Sequence, residues 1–542
     1  MDPREVPSGW KQSDGVDVST CHALSPEICV QFLNDGSLGP NRCLPRYPPP
    51  MKQKLPLTFG LLFILSLIAA WILRPQPRSE YDSTASAAAD VATQSPQSAP
   101  APLPAPESPA ATTAPQSAPT DSPPPDNSLG ALEQQALAAI PSGELKTGIL
   151  QLNAAARTRA LTKLRRIQIP LEDFGSLRVA FDGTLYYIND IPPPAAEAPQ
   201  SQASLRPDNS TQSASIPAPG DSVAAAVPIA TPPARSSRPD STNVIYLDFN
   251  GHTITGTGWN GSVATYVALP YDTDGSPTTF SDDEQSDIIE IWERVAEDYS
   301  PFDVNVTTVE PAVFTSTTAR AMITKSVDAN GQNMPSHTAG GVAKLDVFGE
   351  SNFATYNSPS FVYYNNFSGN EANIAEAVAH EVGHNMGLTH DGQTGVEYYS
   401  GHGTGNTSWG PIMGTGYGRN VSQWSKGEYL LANNTQDDFL VMQTKMGYRD
   451  EDPGATLGTA AALAVTGSVV NDSGVISQGG SVTPDIDLYS FSTASGTVSF
   501  AVNSYRVSTG THGGNADLKL ELLDSGGSVV ASHDPAGDTN AS

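Results

Sequence analysis

From residue 44 to residue 542 the chain has no cysteine; its three thiols, Cys21, Cys29 and Cys43, all lie before that point. No disulfide can staple anything downstream, and no downstream thiol can act as nucleophile, metal ligand or latency switch. Whatever folds there is held by its core and by any metal ions it binds. Positive charge is also scarce: 28 Lys and Arg stand against 57 Asp and Glu, a formal net charge of −29. Over 241–542 the balance is 10 against 35. So acidic a surface argues against nucleic acid and against anionic membrane surfaces as partners.

Large apolar side chains are nearly missing from 83–128 and again from 191–242, which are built of Ala, Pro, Ser and Thr. Such stretches cannot bury enough surface to offset the entropy of ordering, so the sequence predicts linkers over 74–128 and 191–242. The outstanding uncharged run is LPLTFGLLFILSLIAAWIL at 55–73, flanked by Lys52, Lys54 and Arg74. Its 19 residues suffice for a transmembrane or signal segment, which places the body beyond it outside the cytoplasm. The expectation is an exported protein, secreted or on the cell surface, with a single-pass anchor before processing. Residues 1–54 form an N-terminal segment in which Met51, opening MKQKLPLTFG, offers an alternative start.

What the chain does have is AHEVGHNMGLTHDG, residues 379–392. On a helix His380 and His384, four apart, project from one face and can reach one tetrahedral zinc ion. Glu381 leans beside that ion, placed to act on a water without being a ligand. Gly387 tolerates the positive φ of a helix C-terminus and lets the chain return, so that His390 arrives as a third nitrogen. Three neutral nitrogens leave a fourth position open, the mark of a catalytic zinc site.

This extended HExxHxxGxxH resembles the signature of the metzincin zinc endopeptidases. WGPIMGTGYG at 409–418 resembles their methionine turn, and the resemblance implies that Met413 packs beneath the histidines without touching the metal. Asp391 after the third histidine is similar to the reprolysin (adamalysin-like) branch. The animal members carry disulfides in this domain and this chain has none, so the likeness is to bacterial reprolysin-like peptidases, over roughly 241–450. The family implies that His380, His384 and His390 hold zinc and that Glu381 is the general base.

The predicted organisation follows. Residues 129–190 form an island between the linkers, helical and basic at first, then two short strands around Asp182-Gly183; it reads as a propeptide or a stalk. Residues 243–450 form the metallopeptidase domain, an α/β (α+β) mixed open sheet on two helices, with NVIYLDFNG, ARAMITK and SFVYYNN as strands and 282–299 as a helix. Its strand GGVAKLDVF (340–348) sits where the family places the edge strand that a substrate pairs with. DTDG at 272–275 reads as an ordinary turn, and structural calcium stays a second candidate cation. From 453 to 542 short alternating strands predict a β-sandwich, incomplete in strand number, and DIDLYSF resembles the bacterial pre-peptidase C-terminal domain.

The function this implies is zinc-dependent endopeptidase action on proteins or peptides, by a monomer with no nucleic-acid partner. Two alternatives stay open: a catalytically idle binding module of the envelope, and a zinc hydrolase of non-peptide substrates.

Overall fold

The computed structural model describes residues 28–34, 130–190, 231–450, 453–470, 472–476, 485–493, 495–507 and 511–541. Strand β1 (Ile28–Asn34) comes first, then helices α1 (Ala131–Ala139), α2 (Glu144–Gln151) and α3 (Ala154–Arg166) and strands β2 (Leu177–Val179) and β3 (Leu185–Asn189). The catalytic region opens with β4 (Val244–Asp248), β5 (His252–Thr255), β6 (Thr265–Ala268) and α4 (Asp282–Asp298). It continues through β7 (Asn305–Thr307), β8 (Thr318–Thr324), β9 (Gly341–Lys344), β10 (Ser360–Tyr363) and α5 (Glu371–Met386). Strands β11 (Trp409–Pro411) and β12 (Val421–Gln423) and helix α6 (Asp438–Met446) close it. The C-terminal region adds β13 (Ala461–Ala462), β14 (Ile486–Phe491), β15 (Leu518–Leu523) and β16 (Val529–His533).

The main sheet is seven-stranded and mixed, in the order β2-β3-β9-β10-β8-β4-β7. Strand β4 runs parallel to β7 and β8, β10 runs parallel to β8, and β9 is antiparallel to β10. One face of this sheet carries α4 and α5. Helix α4 starts at a capping box: the Ser281 hydroxyl accepts from the Glu284 N–H, and the Glu284 carboxylate accepts from the Ser281 N–H. Its apolar stripe of Ile288, Ile291 and Val295 meets Ile374, Val378 and Val382 of α5 over Ile245, Leu247, Ala319 and Ile323 of the strands, all buried in one core. The other face packs Met322, Val342, Phe361 and Tyr363 under the β5–β6 hairpin. The expected α/β sheet on two helices is what forms.

A buried ion pair ties β4 to β8. Arg320 donates to Asp248, which has no exposed surface, and its other nitrogen reaches Glu310 at 3.0 Å. Burial pushes the Asp248 carboxyl up to about 6, with Arg320 pulling it back. Arg320→Ala leaves that carboxylate buried and unpaired, so the expected loss is about 3–5 kcal/mol at pH 8. The sign with pH follows: below its raised folded pKa Asp248 is neutral in the fold, so the loss shrinks at pH 5. Denaturant melts at the two pH values check both.

The C-terminal strands form one open, unclosed five-stranded sheet in the order β13-β14-β1-β15-β16, consistent with an incomplete β-sandwich. Its central strand is unexpected. Residues 28–34 pair antiparallel with both β14 and β15, Ile28 opposite Phe491 and Asn34 opposite Leu518. A strand so distant in sequence leaves no local signal of its partner.

Two expectations need correction. Among the described residues no helix is long and apolar enough to cross a membrane, against the single-pass anchor expected at 55–73; that run itself lies outside the described residues, as do the expected linker 74–128 and the first part, to residue 230, of the one expected at 191–242, whose remainder pairs with β7 through Ser236 and Thr307. The strand at β9 is also not an edge. It lies between β10 and β3, because the 130–190 island adds two strands to the sheet on that side.

Candidate active site

Helix α5 is capped by Asn370, whose side chain accepts from the Asn373 N–H, and it buries almost every residue from Ile374 onward. His380, Glu381 and His384 therefore project into protein and not into solvent. The helix stops at Gly387, φ 109°, where the Gly387 N–H donates to His384 O at 3.0 Å and the Leu388 N–H to Gly383 O at 3.1 Å. Three residues on, His390 has swung back beside the helix. Its backbone is pinned by its own N–H donating to Asp173 and by Asn434 donating to its carbonyl at 3.0 Å.

The three imidazoles converge. Ring centroids lie 4.7 Å (380–384), 4.9 Å (384–390) and 5.2 Å (380–390) apart, and their nitrogens form a group that could hold one metal ion. Each Nδ1 faces an acceptor: Ile412 O at 2.9 Å from His380, Leu388 O at 2.8 Å from His384, and Glu397 Oε1 at 3.1 Å from His390. Donating from Nδ1 fixes the tautomer and turns a lone pair on every Nε2 toward the common point. His380 Nε2 is buried there with no hydrogen-bond partner. His384 Nε2 and His390 Nε2 lie 3.2 Å apart. That is close to the edge of a zinc tetrahedron, about 3.3 Å for Zn–N bonds of about 2.0–2.1 Å. Burial also lowers the pKa of all three, to about 4 for His380, so they are neutral ligands near pH 7. The residues fit zinc.

Glu381 is buried on the same helix face, and burial holds its carboxyl well above the usual range, partly offset by a hydrogen bond from Asn189. Strand β9 makes room for it with a glycine. A Cβ on Gly341 would lie 2.1 Å from Glu381 Oε1 and 2.6 Å from its carboxyl carbon. Gly341→Ala is therefore expected to displace the carboxylate and cut peptide hydrolysis by at least ~10-fold while zinc content is unchanged; steady-state rates and metal analysis check this.

The loop after the third histidine performs the supporting task foreseen for it. Met413 is fully buried, and a Cβ on Gly383, on the turn between His380 and His384, would sit 2.7 Å from its sulfur. The neighbouring Ile412 supplies the carbonyl that orients His380, and the Asp391 N–H donates to Met413 O at 2.8 Å. Glu397, the carboxylate behind His390, was not foreseen; nothing in its local sequence distinguishes it from other loop acids.

Unforeseen as well is what lies over the triad. Tyr187 of β3 stacks on His384 with centroids 4.3 Å apart and lies 4.4 Å from His390. Its hydroxyl donates to Asp173 at 2.6 Å. Asn189 reaches both Glu381 and His390. The space left beside Glu381 is about 10 Å³, at the lower limit for one water. A cavity of about 1790 Å³ lies between Trp292 and Trp424 on one side and Tyr489 and Phe500 on the other, and none of the three histidines lines it.

His252, His337 and His402 stay outside the triad. Asp272, Asp274 and Glu284 do come together, but Asp272 already accepts from the Gly275 and Ser276 N–H groups and Glu284 from Thr273.

Residues 299–391 match the family described as metallo-peptidase family M12B, reprolysin-like. No curated protein matches the chain. That family match and the histidine triad define the class: the chain carries a reprolysin-like metallopeptidase domain and is a zinc-dependent endopeptidase.

Proposed function

We propose that the reaction runs on His380, His384 and His390 as the metal ligands and Glu381 as general base, with extended peptides as substrates. The observation that carries this is the convergence of three Nε2 lone pairs, each oriented from behind through Nδ1, beside a buried carboxylate. Zinc, when bound, supplies the Lewis acidity that activates a water and polarises the scissile carbonyl. Glu381 takes the proton from the attacking water; its raised pKa suits it to hold that proton and deliver it to the leaving amine. Strand β9 aligns the substrate: once β3 is gone, its main-chain groups are free to pair with an extended peptide.

The wider assignments belong to the same reading. Residues 243–450 act as the catalytic domain, 129–190 as its pro-segment, and 453–542 as an accessory domain similar to the bacterial pre-peptidase C-terminal domain, supported by the strand Ile486–Phe491, which falls on the DIDLYSF stretch. For calcium the candidate is the 272/274/284 cluster; a rise in melting temperature with added calcium supports it, and no shift at 10 mM, taken as roughly saturating, removes it.

The test uses the zinc-loaded chain with sequence-specific protease sites placed on both sides of the island, in 74–128 and in 191–230, cut to release 130–190 from the strand Ile28–Asn34 as well as from the rest of the chain. It is incubated with a random peptide library, and cleaved bonds are read by mass spectrometry. Internal cleavage abolished by chelator and restored by zinc is expected. Turnover of esters or other substrates with no peptide cleavage would instead favour the non-peptide alternative.

A further inference from the structure

We propose that strand Leu185–Asn189 is the resident occupant of the substrate cleft, and that the Asn189 carboxamide silences the site by engaging the general base and the metal position together; this rests on the peptidase reading above.

The backbone comes first. Strand β3 runs antiparallel to β9 with Tyr186 opposite Lys344, Tyr187 opposite Ala343, Ile188 opposite Val342 and Asn189 opposite Gly341. The ladder extends beyond both ends: the Gly340 N–H donates to Asn189 O and the Leu345 N–H to Leu185 O, both at 2.8 Å. These are the main-chain groups an incoming peptide would need, so the cleft cannot accept one while β3 is in place.

The side chain closes the chemistry. Asn189 Nδ2 donates to Glu381 Oε1 at 2.7 Å. That contact sets the amide's orientation, since only the NH₂ end can donate to a carboxylate. Oδ1 then faces His390 Nε2 at 2.8 Å, with the Tyr398 hydroxyl donating to Oδ1 at 3.3 Å. His390 already directs Nδ1 at Glu397, so its Nε2 presents a lone pair to the lone pair of Oδ1. Oδ1 therefore lies beside the point where the Nε2 atoms converge, and a metal held by the three histidines would find the amide oxygen within reach as a further donor. Glu381 meanwhile accepts from an amide that has no proton to give up. Both groups that would act on a water are occupied by one side chain.

The island is fastened to keep it there. Leu345 of the catalytic region is buried inside the island's own core with Leu177, Leu185 and Tyr187. Lys163 Nζ donates to Asp346 O at 2.6 Å and pairs with Glu350 at 3.0 Å. Glu172 accepts from the Gly395 N–H and from Asn433. Lys163 is the member of the basic helix whose charge reaches the enzyme through Asp346 and Glu350, so shared core and ladder, more than general charge attraction, hold the two parts. The device needs no thiol, and none is present after Cys43.

Full-length chain loaded with Co²⁺ in place of zinc provides the test, because the visible spectrum of Co²⁺ reports the ligand at its fourth position independently of turnover. Asn189→Ala and the nearly isosteric Asn189→Leu are compared with wild type. The expected result is a changed Co²⁺ spectrum in both variants, while hydrolysis of a quenched peptide by the uncut variants stays low because the β3 ladder still fills the cleft. Hydrogen exchange at Thr318–Thr324 confirms that each variant is folded. An unchanged spectrum in folded variants overturns the proposal, whatever the rates. A changed spectrum with no peptide cleavage by any form, including the linker-cut chain, supports the plug and overturns the peptidase reading instead.

Discussion

Glu381→Gln is expected to retain fold and zinc and to lose about 10²–10⁴-fold in kcat/KM, the range general acid–base catalysis contributes. Glutamine has nearly the same shape, and the three ligands keep their own supports in Ile412, Leu388 and Glu397. What disappears is the acceptor for the water's proton. Because Asn189 also bonds to Glu381, the measurement belongs in the linker-cut form, with kcat/KM on a peptide and metal per chain read on the same sample. Retention of more than about a tenth of the activity would assign the base to another residue. The same substitution breaks the charge-assisted half of the Asn189 contact, so the uncut variant should also exchange amide hydrogens faster at Gly341–Lys344.

His390→Ala is expected to lose the metal. Removing an outer partner of a ligand costs roughly 10–100-fold in affinity, and removing one of three protein ligands must cost more. The imidazole is fully buried under Tyr187 and Tyr398, with ring centroids 4.4 Å from each, so its deletion also leaves a void at the centre of the site. Competition with a chelator of known affinity gives the zinc Kd, and thermal melts with and without zinc show how much of the stability depended on it. Unchanged zinc occupancy would place the third ligand elsewhere. Glu397→Gln provides the graded comparison: it keeps the ligand, weakens the orientation from behind, and should fall between wild type and His390→Ala.

Some of this could be read along the chain because the physics is local. His380, Glu381 and His384 share a helix face by spacing alone, and Gly387 marks the turn because only a glycine is at ease at φ 109° there. Strands β4, β8 and β10 appear as short apolar runs bounded by turn residues, each starting within a residue of its predicted start, while NVIYLDFNG and SFVYYNN each end three residues early, at Asp248 and at Tyr363. The two strands around Asp182-Gly183 are likewise present as β2 and β3.

What could not be read are pairings between distant segments. The family resemblance makes 340–348 an edge strand, and so it would be for the catalytic region by itself. It becomes internal because Tyr187 and Asn189, more than 150 residues earlier, lie against Ala343 and Gly341. The N-terminal strand Ile28–Asn34 between Ile486–Phe491 and Leu518–Leu523 is the same kind of event at longer range. The expected anchor at 55–73 found no support among the described helices.

The sequence by itself determined that His380, Glu381 and His384 share one helix, that His390 follows the glycine turn, that no thiol lies after residue 43, and the class of reaction, since these depend on residue type and spacing within a dozen positions. The tertiary structure decided which acceptors orient the histidines, why position 341 is glycine, and that an asparagine from another segment reaches both Glu381 and His390. A β-ladder draws its partners from anywhere in the chain, and no local pattern records which strand will lie beside which.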